Sequence, residues 1–226
     1  GFDGVISVSE LNKEYCINEL SVAKQKIRVF PNAIDTSLFY KRDKVEMRKK
    51  YNLPLDKKII VFTGHFIERK GPLRVLDAVE KLSDDVGVVF IGEGPQVPDG
   101  AKVLFRDRVT HDKVPELLGA SDLFVLPTKN EGSCNAIVEA MACGLPVISS
   151  EIPEIKEQVS EKNAILINPN SVVQIRKAIS YLFSEEEALE NFSNASIDIA
   201  RKSTLNIRAK GINIYLNYML ENFKNR

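Results

Sequence analysis

Asp122-Leu-Phe-Val-Leu-Pro127, followed after three residues by Glu131-Gly-Ser-Cys-Asn-Ala-Ile-Val-Glu139 and Ala140-Met-Ala-Cys-Gly-Leu-Pro-Val-Ile148, reads as strand, polar loop, helix and strand. The first strand is nearly all apolar, the helix runs from about Asn135 to Cys143, and the second strand covers Pro146–Ser149. Strands apolar throughout and joined by amphipathic helices belong to a parallel sheet covered on both faces. Working outward, Lys58–Thr63, Val86–Gly92, Lys102–Phe105 and Ala164–Ile167 are further strands of this kind. Helices are expected over Pro72–Leu82, with Leu73, Leu76, Val79 and Glu80 at turn spacing, over Asp112–Gly119, and as a short piece near 153–159. The fold class is therefore α/β, a Rossmann-like parallel sheet with helices on both faces.

The flanks are less regular. Residues 2–9 read as a short buried strand ending in a Ser-rich turn, followed by a helical stretch. In 26–39 a short strand meets a Pro-Asn turn, and the charge-rich 41–57 reads as a short helix and a boundary. Residues 171–226 are mostly helical, with Leu205, Ala209, Ile212, Tyr215 and Leu216 spaced for one buried stripe. Three parts are expected: 1–40, 41–203 and 204–226.

Composition bounds the function. The 226 residues hold 44% hydrophobic side chains, 10 Pro and 12 Gly, as an ordinary globular protein does. Lys+Arg and Asp+Glu both total 31, so overall charge gives no reason to expect nucleic acid. No apolar run reaches the roughly 18–20 residues that span a bilayer. Cys16, Cys134 and Cys143 show neither CxxC pairing nor metal spacing, which fits a reducing compartment and points to a cytoplasmic protein. A chain that starts on Gly within a strand reads as a piece of something longer.

In such sheets ligands bind beyond the carboxyl ends of the strands, here the loops 64–71, 92–98, 106–110 and 128–135. The first, Gly64-His-Phe-Ile-Glu-Arg-Lys-Gly71, carries His65, Arg69 and Lys70, and a lysine there can neutralise a diphosphate. Gly92-Glu-Gly-Pro95 is a tight turn that lacks the third Gly of a dinucleotide fingerprint. Arg106-Asp-Arg-Val109 frames a base or ribose, or is a surface ion pair. Glu131 and Glu139 lie eight positions, slightly more than two helical turns, apart. The N–H groups of Ser133, Cys134, Asn135 and Ala136 fall at the helix start, where phosphate is attracted. Acceptors for hydroxyls and donors for phosphates on one element suit a nucleotide-sugar. Glu131 also reads as an ordinary first-turn acid, whereas Glu139, among apolar neighbours, needs a partner such as a ribose diol. His111 reads as a surface cap, and no Ser/His/Asp order, HExxH spacing or Walker loop is present.

Together these residues resemble the retaining GT-B glycosyltransferases of family 4, glycosyl transferases group 1. Glu131 and Glu139 match the family's E-x7-E motif, and EAMACGLPVI, the loop ending Arg69-Lys70-Gly71, FIGEGP and ASDLFVLPT follow in its order. VISVSE and IRVFPNAIDTSLF resemble the crossover from an N-terminal domain. The resemblance implies that 1–40 ends that domain, that 41–203 binds a UDP- or GDP-sugar, and that 204–226 packs back toward the N-terminal side. It implies Lys70 on the diphosphate, Glu131 on the sugar, Glu139 on the ribose, and the backbone of 133–136 on the sugar-phosphate. Gly64, His65 and Arg69 would contact the donor, with Gly92, Arg106 and Val109 bounding the nucleoside. No metal or cofactor is implied. A sugar or lipid-linked acceptor would enter through the absent N-terminal domain, with the full-length protein membrane-peripheral. His65 stands where the family's basic loop has Arg, and Cys134 where Gly is common. A binding module without turnover, and another GT-B enzyme such as a sugar-nucleotide epimerase, are the alternatives.

Overall fold

The computed structural model describes residues 3–224. Among them are eight strands: β1 Val5–Ser7, β2 Ile27–Val29, β3 Lys58–Thr63, β4 Val86–Ile91, β5 Val103–Asp107, β6 Leu123–Leu126, β7 Val147–Ser150 and β8 Ala164–Ile167. The α-helices are α1 Glu10–Asn18, α2 Lys44–Lys50, α3 Pro72–Val79, α4 Val114–Gly119, α5 Asn135–Ala142, α6 Pro153–Lys156, α7 Val172–Ser184, α8 Glu186–Ala200 and α9 Leu205–Lys224. Strands β3 to β8 form one parallel sheet in the order β5-β4-β3-β6-β7-β8. The chain builds outward in one direction from β3, then returns to β3's other side at β6. That reversal is a topological switch point, where the loops leaving β3 and β6 open a crevice.

Burial explains the all-apolar strands. Ile59, Ile60, Val61 and Phe62 of β3, Val88, Val89 and Phe90 of β4, and all of β6 are wholly inaccessible. Each such side chain contributes roughly 1.5–3 kcal/mol on leaving water. Helix α3 starts with a Pro in its first turn, which needs no intrahelical N–H bond. It buries Val75, Leu76, Ala78 and Val79, so its inner face is turned away from Leu73, which is exposed. Helix α5 stops in a Schellman motif: Leu145 N–H donates to Ala140 C=O, Gly144 N–H to Met141 C=O, and Gly144 has φ 80°. The Ser193 and Ser196 hydroxyls of α8 then donate to the Gly144 and Leu145 carbonyls, locking α8 against that end.

Two expectations at the flanks change. The first strand is only partly buried: Ser7 is covered but Ile6 is 40% exposed, because β1 pairs only with β2, in a separate two-stranded sheet. Residue 2 of that expected strand lies outside the described residues. The stripe on α9 is likewise not buried as a whole. Tyr215 is buried, donating its hydroxyl to Lys26 C=O and lying against Phe30, and Ile212 is half-buried, whereas Leu205, Ala209 and Leu216 are exposed. A two-stranded sheet covers only one line along a 20-residue helix.

Candidate functional site: a crevice at the β3/β6 switch point

The loops after β3 and β6 are bound to each other. Lys129 N–H donates to Arg69 C=O at 2.9 Å, Arg69 Nη1 to Asn130 C=O at 2.5 Å, and Arg74 Nη2 to Pro127 C=O at 2.9 Å. Within this seam Lys70 Nζ and Glu131 Oε1 form an ion pair, both side chains largely buried, with Arg69 Nη1 4.0 Å from the same oxygen. Lys70, Arg69 and Glu131 are thus one cluster. Gly64 and Gly92, at the ends of β3 and β4, have φ of 151° and 152°, and a Cβ on Gly92 would collide with the Gly64 carbonyl oxygen. Only Gly permits this approach, which brings the two loops together at the sheet edge.

The loop entering α5 is held by two amide side chains. Asn32 Nδ2 donates to Ser133 C=O at 3.2 Å. Gln158 Oε1 accepts the Cys134 N–H at 2.9 Å, while its Nε2 donates to Cys134 C=O at 3.2 Å and to Ser133 Oγ at 3.4 Å. The Cys134 N–H is therefore satisfied within the protein, and the amides of Asn135 and Ala136 lead the helix start. The Cys134 thiol is buried, which together with the charge of Glu131 pushes it up to about 11; Lys70 and the helix N–H groups oppose this only in part. It is a packed thiol, not a nucleophile.

Glu139, one turn further along α5, is 8% exposed, and His111 Nε2 lies 3.0 Å from its Oε1. His111 is exposed as expected but does not cap a helix through its side chain: its ring reaches back to Glu139 and tilts against Phe39 at 5.1 Å. Ala33, Asp35, Phe39, His111, Asn135 and Glu139 line a cleft of about 190 Å³. Arg106 is turned elsewhere, donating to Pro98 C=O at 2.7 Å and pairing with Asp99 at 2.9 Å. Val109 packs on the edge of the core, and His65 is exposed on the β3 loop. Sequence reasoning missed Gln158, Asn32 and the His111–Glu139 contact. Asn32 was visible only as a turn residue, and nothing local marked Gln158.

The family model for glycosyl transferases group 1 matches residues 43–198. The chain belongs to this family. Among curated relatives, it is 32% identical over 156 residues to the putative teichuronic acid biosynthesis glycosyltransferase TuaC of Bacillus subtilis, covering 67% of this chain and 40% of that protein. It is 30% identical to a UDP-Gal:alpha-D-GlcNAc-diphosphoundecaprenol alpha-1,3-galactosyltransferase of Escherichia coli, covering 91% and 53%. The chain thus spans about half the length of these relatives. The fold matches that of Anabaena Alr3699/HepE, solved in complex with UDP, with a TM-score of 0.85 at 18% identity over 96% of this chain and 64% of that one.

Proposed function

We propose that this chain is the donor-binding half of a retaining, family 4 glycosyltransferase that takes a hexosyl unit from a UDP- or GDP-sugar. The observation that carries this reading is the Lys70–Glu131 pair, seated at the switch point beside the first amides of α5. A diphosphate laid across that point meets the Lys70 ammonium and the helix N-terminus, which stabilise negative charge on the departing phosphate. Glu131, fixed by Lys70 and Arg69, accepts hydrogen bonds from the donor sugar's hydroxyls and orients it without attacking it. Glu139 accepts from the ribose. Departure of the phosphate and attack by the acceptor on the same face give retention, with no metal required of these residues. The binding of UDP by Anabaena HepE supports UDP among the donor nucleotides. The whole protein would act in the cytoplasm, at the membrane face where its acceptor is a lipid-linked glycan, and would need the N-terminal half for turnover.

Calorimetric titration with UDP, GDP and NAD tests this. UDP or GDP should bind, and Glu139→Ala should weaken binding by about tenfold, the worth of a hydrogen bond to a charged group. Tight NAD binding with no response to either nucleotide would sink the reading. A transfer assay should find no turnover by this chain alone.

A further inference from the structure

Glu139 is a buried carboxylate on a helix that also buries Ile137, Val138, Ala140 and Met141, and such a group is costly without a partner. The partner in the structure is His111, 28 positions earlier and on the turn leaving β5. We infer that His111 is a positioning residue for the nucleoside end of the donor: it holds one oxygen of Glu139 so that the carboxylate is presented to the ribose in a fixed orientation. This inference rests on the donor-site reading above.

Three observations carry it. The His111 ring is itself held, against Phe39 on one side and Glu139 on the other. The His111 side chain is 67% exposed and that of Glu139 11%, so the contact lies at the boundary between helix α5 and solvent. Both residues line the same 190 Å³ cleft, together with Asn135 of the α5 start and the crossover residues Ala33 and Asp35. A ligand whose phosphates reach the α5 amides therefore has its sugar ring beside Glu139, and one carboxylate oxygen remains for a hydroxyl.

The charged groups around the ring are Glu139 from α5, Asp35 from the crossover, and Asp112 and Lys113 from its own turn. The Ser37 hydroxyl holds the Asp35 carboxyl below its ordinary value, and the Thr110 side chain does the same for Asp112. Both carboxylates stay ionised near neutrality and act as acceptors only, so neither can serve Glu139 as the His111 ring does.

UDP-glucose, with which Anabaena HepE has also been solved, is the probe. Titrated by calorimetry, the native chain should bind it. His111→Gln, which keeps an N–H donor, should stay within about threefold of the native affinity. His111→Ala should bind about tenfold more weakly, and Glu139→Ala added to it should cost little more, because the two act through one contact. Native-like binding by His111→Ala, while Glu139→Ala weakens binding, would overturn this inference alone. Failure of the native chain to bind UDP-glucose, UDP or GDP would overturn the donor-site reading and this inference together.

Discussion

Arg48 of α2 is 5% exposed and donates to four oxygens: Ala120 C=O at 2.9 Å, Leu55 and Lys57 C=O at 3.1 and 3.0 Å, and Asp122 Oδ2 at 2.7 Å. Asp122 in turn accepts the Ile59 N–H and pairs with Lys44. One guanidinium thereby closes the bottom of the sheet between β3 and β6. Arg48→Met should destabilise the fold by about 3 kcal/mol, the low end for breaking a buried pair because Lys44 still faces Asp122; urea unfolding measures it, and a change under about 1 kcal/mol would refute this account. At this scale legibility was uneven. Lys70, Glu131 and Glu139 stand out because a charged residue beside an apolar strand or inside an apolar helix face is unusual in itself. Gln158, Asn32 and His111 are ordinary polar residues whose roles arise from partners 24, 101 and 28 positions away. No local pattern encodes such pairings.

Helix α1 buries none of its residues, so packing does little to hold it. Its N-terminus is tied down instead: the Ser9 hydroxyl accepts the Asn12 N–H at 3.1 Å, and the Glu157 carboxylate accepts the Glu10 and Leu11 N–H groups at 2.9 and 3.1 Å. Glu157→Ala should speed hydrogen exchange at the α1 amides while leaving those of β3 and β6 unchanged. Unaltered protection at Glu10 and Leu11 would show that the helix is held another way. Elements of the main sheet were legible nearly to the residue, since an apolar run bounded by turn residues has one interpretation once helices alternate with it. The α9 stripe was not, because periodicity tells which residues share a helix face and says nothing of whether a neighbour covers it.

Acid response belongs to the whole molecule, because Glu116 ties α4 to α2. Burial opposes its charge, but hydrogen bonds from Lys50 and Tyr51 and the charges of Lys50 and Lys113 together bring its carboxyl down to about 2. Burial, and after it the same contact with Glu116, raises the Tyr51 hydroxyl well above its ordinary value. A carboxyl held lower in the folded than in the unfolded chain adds stability that is complete above the ordinary value of 4.5 and is lost as pH falls toward 2. Unfolding free energy should therefore decline through that window, and Glu116→Gln should flatten the decline; an identical slope in the variant would assign acid sensitivity to other carboxylates. The balance of 31 cationic and 31 anionic side chains foretold none of this, since a total carries no positions.

The reversal at β3 has a consequence for how the crevice comes into being. Strands β3, β4 and β5 follow one another in the chain, as do β6, β7 and β8, so each wing closes through short connections. The wings meet through the pairs Ile60–Leu123 and Val61–Phe124, far apart in sequence, and joining them carries the larger loop-closure cost. During synthesis the first wing emerges with Lys70 and waits for Glu131. The proposed donor site is thus a late product of folding, because its Lys70–Glu131 pair forms only once the wings have joined.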